Sequence, residues 1–286
     1  MLIAVAQTEP QLAEVAHNLE AAIARIEEAA AQGVQLLVLP EAQLTGYVFN
    51  SAEEARAVAL EVPGPEIDAL AAAAGRLGVF TVCGLIEREG DLLRNTAVLV
   101  GPSTVDGSPG EGALLGRYCK THLPFLGVDR FVTPGDEVPV FDTPIGRIGI
   151  EICYDLRFPE LSRSLAVQGA DFIAHPTNWP LAALTNADFI TRTRALENRV
   201  YLLTANRSGF ERGTEFCGWS QICDPSGTRV VETGKAGETL LVAEADVARS
   251  RDKNIIVIPG EYEMHLWGHR RPELYGAVVA EGIATT

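Results

Sequence analysis

The feature that most constrains this chain is the alternation of short, unbroken apolar runs with stretches of helical period. "LIAVAQ" (2–7) and "VQLLVLPE" (34–41) have the length and composition of fully buried strands. Between them Leu12, Val15, Ala16, Leu19, Ile23 and Ile26 recur at helical spacing, with Pro10 suited to the first turn and Gly33 to the stop. A helix of that length returns the chain to the edge it left, so the two strands are expected to run parallel.

The pattern continues along the chain. "IDALAAAAGRLG" (67–78) reads as a helix, "VFTVCGLIE" (79–87) and "NTAVLVG" (95–101) as strands, and "STVDGSPGEGA" (103–113) as a surface loop. The strand "RIGIEIC" (147–153) precedes the helix "PELSRSLAVQG" (159–169). "DFIAHPT" (171–177) and "VYLLTANR" (200–207) are strands flanking the helix "NADFITRTRALENR" (186–199). A hairpin turning at Asp-Pro-Ser-Gly and a strand in "ETLLVAEADV" close the series. With no repeat or linker to divide it, the chain is expected to form one α/β domain of mixed sheets covered by helices. Its 286 residues sit near the size, about 250–300 residues, at which a single core stops growing.

Composition removes several function classes. The net charge of −15, from 38 acidic and 23 basic side chains, argues against a nucleic-acid surface, which needs a basic stripe. The N-terminal apolar run is too short for a signal peptide, and no stretch reaches the roughly 18 apolar residues of a membrane span. Five cysteines (83, 119, 153, 217 and 223) show no CxxC pair and no zinc spacing. An odd count of this kind fits a reducing cytoplasm.

Three polar residues each follow an apolar strand, where open α/β sheets carry their ligand sites. Glu41 ends "LLVLPE", Lys120 follows "ALLGRY", and Cys153 ends "RIGIEIC". Carboxylate, ammonium and thiol are the ingredients of covalent acyl transfer: base, oxyanion partner and nucleophile. A helix starting at Phe158-Pro159 is expected to aim its N–H groups at the thiol and, with Lys120, to favour thiolate. Taken singly, each residue also fits a bland role, as a buried core cysteine, a solvated strand end or a surface charge.

The segments around these residues resemble the nitrilase superfamily, the carbon–nitrogen hydrolases. "LLVLPE", "YCKTHLPF" and "GRIGIEICYDLRFPE" are similar to its glutamate, lysine and cysteine motifs. "HPTNW" (175–179), "TRALENRVYLLTANRSG" (193–209), "GWSQICDPSG" (218–227) and "HRRPELYG" (269–276) follow in family order, so the likeness spans about the whole chain. The resemblance implies a four-layer α-β-β-α sandwich with two mixed β-sheets, formed by residues 1–286 as a single domain. It implies a Glu41–Lys120–Cys153 triad, no metal and no organic cofactor. Cys153 would attack the substrate carbon and pass through a thioester. Glu41 would carry the proton, and Lys120 with the backbone N–H of Tyr154 would hold the oxyanion.

The resemblance also implies a homodimer or higher homo-oligomer paired through the helices after Phe158 and around 186–199, with Arg194, Glu197 and Arg199 as structural residues there. Tyr47, Asn178 and Trp179 fall in segments that border the pocket in relatives. Where many relatives place a second glutamate, this chain offers Asp129, one methylene shorter, as a tentative fourth catalytic group. Tyr154-Asp155 after the cysteine points to a small linear carboxamide as substrate, cleaved to acid and ammonia. An N-carbamoyl (ureido) compound is the alternative, and a nitrile a further one. The paired arginines that grip a carboxylate in N-carbamoyl hydrolases are reduced to Arg157, which is expected to anchor its loop through Asp155 or Glu160. His122 is expected to organise the lysine loop. Competing readings are a Cys153–His175 hydrolase, a metal-dependent phosphoesterase on a similar sandwich, and a non-catalytic binding protein on the same frame.

Overall fold

A computed structural model describes residues 1–234 and 237–280. The first sheet is built from β1 (Leu2–Gln7), β2 (Val34–Val38), β3 (Phe80–Glu89), β4 (Leu92–Pro102) and β5 (Gly112–Cys119). Helices α1 (Val15–Ala31), α2 (Ala52–Val58) and α3 (Pro65–Leu77) lie between its early strands. The second sheet follows with β6 (Val140–Thr143), β7 (Gly146–Ile150), α4 (Pro159–Val167), β8 (Phe172–Thr177), α5 (Thr191–Asn198) and β9 (Tyr201–Asn206). A small hairpin, β10 (Phe210–Glu211) and β11 (Thr214–Glu215), precedes β12 (Gln221–Cys223) and β13 (Arg229–Glu232). Then come β14 (Thr239–Glu244), α6 (Val247–Arg251) and the terminal hairpin of β15 (Asn254–Ile258) and β16 (Tyr262–His265).

The two six-stranded sheets have the orders β14-β1-β2-β3-β4-β5 and β13-β12-β9-β8-β7-β6. In each, the middle crossovers are parallel and the flanks antiparallel: β1-β2-β3 in the first, β7-β8-β9 in the second. Both sheets are mixed, as expected. The late strand β14 leaves the second half of the chain and pairs antiparallel with β1, residue for residue from Leu2↔Glu244 to Gln7↔Thr239.

Side-chain alternation sorts the layers. Ile3 and Val5 of β1 point inward, with Leu36, Val38 and Val82, to meet Ile148, Ile150, Phe172 and Leu203 of the other sheet. Ala4 and Ala6 point outward and pack under α1 and α3 with Ile26, Ile67 and Leu70. Leu165 and Ala195 bring α4 and α5 onto the outer face of the second sheet. Each fully buried Val, Leu or Ile side chain among these contributes about 1.5–3 kcal/mol.

Two boundaries differ from the sequence reading for a physical reason. α1 starts at Val15, five residues beyond Pro10, because Ala13 takes φ 66° and its N–H bonds the carbonyl of Thr45 at 2.9 Å. The strand before Cys153 stops at Ile150, and Cys153 itself has φ 49° in a 3-10 turn, Cys153–Arg157. The intervening turn also means that α4 does not begin at the thiol. Among the described residues no helix is long and apolar enough to cross a membrane.

Candidate active site

Glu41 reaches its place because the chain turns sharply after β2. Leu39 N bonds Val82 O, and the turn then folds back onto β3 through Leu44 N to Gly84 O, 3.1 Å. Gly84 is required there, since a Cβ would lie 2.5 Å from Ala42 N and 2.6 Å from Glu41 Cα. Lys120 follows β5 and stays in register through its N–H to Asn95 O, 2.8 Å. Asp129 sits in the 3-10 turn Gly127–Arg130.

These groups meet around one ammonium. Lys120 Nζ lies 2.8 Å from Glu41 Oε1 and 2.6 Å from Asp129 Oδ2. Asn95 Nδ2 donates to both carboxylates, at 2.7 and 2.8 Å, and Tyr47 OH donates to Asp129 Oδ2 at 2.7 Å. All five side chains are buried. Burial pulls the Lys120 pKa down, but Asp129 and Glu41 outweigh it and hold the ammonium well above its ordinary value. Burial raises Glu41 despite the opposing pull of Lys120, and the charge of Asp129 adds to the rise. Two carboxylates share one cation, and Glu41 Oε2 has no hydrogen-bond partner.

Cys153 faces this cluster from the second sheet. Its thiol is pushed up first by burial and then by the charge of Glu41, while Lys120, the Thr177 side chain and the Asn178 backbone amide pull the other way. Burial and Glu41 therefore work against the resting thiolate expected from the sequence while Lys120 works for it, and α4 begins a turn away. The positive φ of Cys153 holds the residue in a conformation that L side chains seldom adopt, a form of strain concentrated at functional sites.

Asp155 locks the nucleophile turn to the lysine loop. It accepts from Ile152 N at 2.9 Å, Tyr118 OH at 2.7 Å, Thr121 Oγ1 at 3.1 Å and His122 N at 3.0 Å, and His122 Nδ1 lies 2.8 Å away. His122 also stacks on Phe158 with ring centroids 3.7 Å apart, so it braces the loop as expected. Arg194 Nε adds a bond to Leu156 O, 3.0 Å, from α5.

Arg157 is exposed and bonds neither Asp155 nor Glu160; the anchoring expected of it is corrected, because Asp155 is already filled by Tyr118, Thr121 and His122. His175 Nε2 lies 3.2 Å from the carbonyl oxygen of Cys153, and Nδ1 lies 3.2 Å from Thr204 Oγ1. Burial lowers its pKa to about 4, so it is a neutral buttress on the backbone of the turn.

A cleft of about 430 Å³ opens on Cys153, walled by Leu126, Phe158 and Trp179, with Tyr154 and Arg157 toward the exposed side. Larger concavities exist, among them one of about 510 Å³ between α4 and Tyr275, but its lining holds no thiol. Tyr47 is placed behind the cleft wall, on Asp129. Asn178 is fully buried with neither Oδ1 nor Nδ2 partnered, and Trp179 Nε1 is likewise unpartnered.

Two further residues went unmarked in the sequence. Asn95, which bridges the carboxylates, opens an otherwise apolar run, a polar intrusion that was a usable signal. Asn186 lines the cleft from a π-helical turn, Asn186–Ile190, for which the sequence carries no signal. Among the described residues no group of three or more His, Cys, Asp or Glu side chains is arranged to hold a metal ion.

Comparison with known proteins agrees with this arrangement. Residues 2–254 match the carbon-nitrogen hydrolase family. A nitrilase of Pyrococcus abyssi is 40% identical over 88% of this chain and 92% of its own. An omega-amidase of Xenopus laevis is 33% identical over 80% of this chain and 83% of its own. Among solved structures, the amidase of Nesterenkonia superposes with TM-score 0.77 at 28% identity, covering 98% of this chain and 100% of its own. A glutamate-to-glutamine variant of that amidase shows covalent addition of the acetamide moiety of fluoroacetamide at its active-site cysteine, with TM-score 0.77 at 27% identity over 97% of this chain and 96% of the other.

Proposed function

Because the chain belongs to the carbon–nitrogen hydrolase family and carries that family's Glu41–Lys120–Cys153 triad, we propose that it hydrolyses a small linear carboxamide to the acid and ammonia. The observation that carries this reading is the buried ammonium of Lys120 clamped between two carboxylates within electrostatic reach of the Cys153 thiol. Glu41 takes the thiol proton as the sulfur attacks the amide carbon. The oxygen of the tetrahedral adduct gathers negative charge and is met by Lys120 and the Tyr154 N–H. Collapse breaks the C–N bond, Glu41 returns the proton to the departing ammonia, and a thioester remains on Cys153. Glu41 then deprotonates water, which attacks the thioester. The acid leaves and the thiol is restored.

Asp129 holds the far side of Lys120, and Tyr47 holds Asp129. Asn178 and Trp179 present their unpartnered polar atoms to substrate. The exposed Arg157 at the cleft supports an amide whose other end is anionic, and the omega-amidase relative supports an amide as substrate. Amide, ureido and nitrile panels with ammonia and carbon dioxide followed in parallel test the assignment. Ammonia with carbon dioxide from ureido acids alone favours the carbamoyl alternative, and ammonia from nitriles alone overturns the amide reading. Mass spectrometry of the trapped protein places the acyl group on Cys153.

Residues 1–286 are proposed to act as one unit in the cytoplasm, and as a homodimer. Phe189 and Leu196 near α5 and Val167 at the end of α4 are exposed apolar side chains on the face expected to pair. Sedimentation of wild type against Leu196→Glu checks this.

A further inference from the structure

The catalytic cluster is held from behind by a buried ion pair that touches none of its members' reacting atoms. Arg207, the residue after β9, donates through Nη1 to Glu211 Oε1 at 2.6 Å and through Nη2 to the Pro10 carbonyl at 2.9 Å. Its guanidinium carbon lies over the Phe216 ring, 4.3 Å from the centroid. Glu211 turns its other oxygen onto the chain segment after Glu41 and accepts the consecutive N–H groups of Tyr47 at 3.1 Å and Val48 at 2.5 Å. Both side chains are buried, Arg207 1% and Glu211 5% exposed.

The geometry points to Glu211, oriented by Arg207, as a positioning residue that sets the Tyr47–Asp129–Lys120 relay in register for the reaction. Consecutive amides facing one carboxylate form an anion nest, which fixes the backbone at Tyr47 in direction as well as distance. Val128 N bonds Tyr47 O at 2.9 Å, so the same peptide also sets the turn that bears Asp129. Tyr47 OH then reaches Asp129 Oδ2, which meets Lys120 Nζ. Burial first, then the charges of Asp129 and Glu41, keep the Tyr47 phenol well above its ordinary pKa, so it stays a donor. No slack is available nearby: Gly46, at φ 81°, has no room for a Cβ, which would lie 2.7 Å from Leu12 Cα and 3.2 Å from Glu211 Oε1.

A buried ion pair is a poor means of stabilising a fold, since desolvation consumes most of its attraction; orientation is what it supplies well. The neighbouring residue makes the contrast. Arg212, at the tip of the same hairpin, pairs with Glu54 on the surface and reaches Val48 O through Nη1 at a long 3.4 Å, leaving the Tyr47 and Val48 amides to Glu211.

This inference rests on the hydrolase reading, and the test separates the two. Glu211→Gln keeps size and loses charge. It is expected to lower kcat on the best amide 10- to 100-fold with KM within threefold, and to slow alkylation of Cys153 by fluoroacetamide to a similar degree. Glu211→Asp, the milder change that preserves charge and folding, is expected to retain 10–30% of wild-type kcat. Arg212→Ala is expected to stay within twofold. In a Tyr47→Phe background, Glu211→Gln should cost less than a further threefold, because both act through one phenol. Independent, multiplicative losses in the double variant, or a lowered Tm with unchanged kcat per folded molecule, overturn the positioning role. Wild type that alkylates at Cys153 yet turns over no amide overturns the hydrolase reading instead, and the alkylation rates still decide the role of Glu211.

Discussion

The two walls of the cleft are built on opposite principles. On the first sheet, Glu41, Lys120, Asp129, Asn95 and Tyr47 form a nearly closed hydrogen-bond network, in which one ammonium is shared by two carboxylates. On the second sheet, the residues around Cys153 are buried yet left open: both amide atoms of Asn178, Trp179 Nε1 and Asn186 Oδ1 have no partner. A buried polar atom without a partner costs about 1–3 kcal/mol. Ion pairs on the proton-handling wall keep charges in fixed places, with Glu41 Oε2 and Asn95 Oδ1 left unpartnered, and in the proposed reaction the unpaired atoms on the nucleophile wall meet the substrate. The difference separates machinery that must not move from a surface that must recognise.

The sharpest way to break this comparison is to remove its central groups. Cys153→Ala is expected to abolish turnover, by about 10⁴-fold or more in kcat. It should leave Tm within a few degrees, because the thiol is not part of the closed network. Glu41→Gln is expected to cost about 10³-fold or more in kcat while allowing an acyl adduct to accumulate, read by intact mass, since water activation fails too. His175→Asn, on the open wall, should keep activity within about tenfold; it holds a carbonyl and moves no proton. The reverse ranking of these two would reassign the base.

The closed wall should fail by stability where the open one fails by recognition. Lys120→Met leaves the Glu41 and Asp129 carboxylates buried without a cation, at a cost of about 3–5 kcal/mol at neutral pH by denaturant unfolding. Trp179→Phe removes the unpartnered indole N–H together with part of a fully buried ring, so Tm should fall with the cavity left behind while kcat/KM falls about three- to thirtyfold, a loss of about 0.6–2 kcal/mol of transition-state binding.

An effect on stability alone belongs to Glu151, two residues before the nucleophile. Its Oε2 accepts from Ser162 Oγ at 2.6 Å and its Oε1 has no partner, and burial raises its pKa from 4.5 to about 7. Between those values the unfolded chain has released the proton and the folded one still holds it. Stability therefore declines as pH rises from 4.5 to about 7 and is level above that. Glu151→Gln should flatten this slope and gain about 1–3 kcal/mol above pH 7, measured as Tm against pH. No change in slope would mean that the carboxyl is ionised throughout.

Much of this was legible in the sequence because it depends on local pattern. The apolar runs at 2–7, 171–177 and 200–207 lie on strands β1, β8 and β9, since strands buried on both faces read as continuous apolar segments. Glu41, Lys120 and Cys153 were marked by their places after such runs and by the family motifs around them. Asn95 and Asp155 carried weaker marks, because a polar residue in a strand or turn has the same appearance whether it faces solvent or a buried carboxylate. Arg157 was misread for the same reason: its partners depend on which groups had already satisfied Asp155.

The sequence by itself determined the succession of strands and helices and the identity of the three chemical groups, because hydrophobic period and motif spacing act over a few residues at a time. Only the tertiary structure decided that Ala13 would bond Thr45 in place of extending a helix, and that β14 would return to pair with β1. It also decided that an ion pair from beyond β9 would reach the backbone of Tyr47. These are contacts between residues some 30 to 240 positions apart. Their energies exist only once distant segments have been brought together, and no local pattern encodes which polar group will find which partner there.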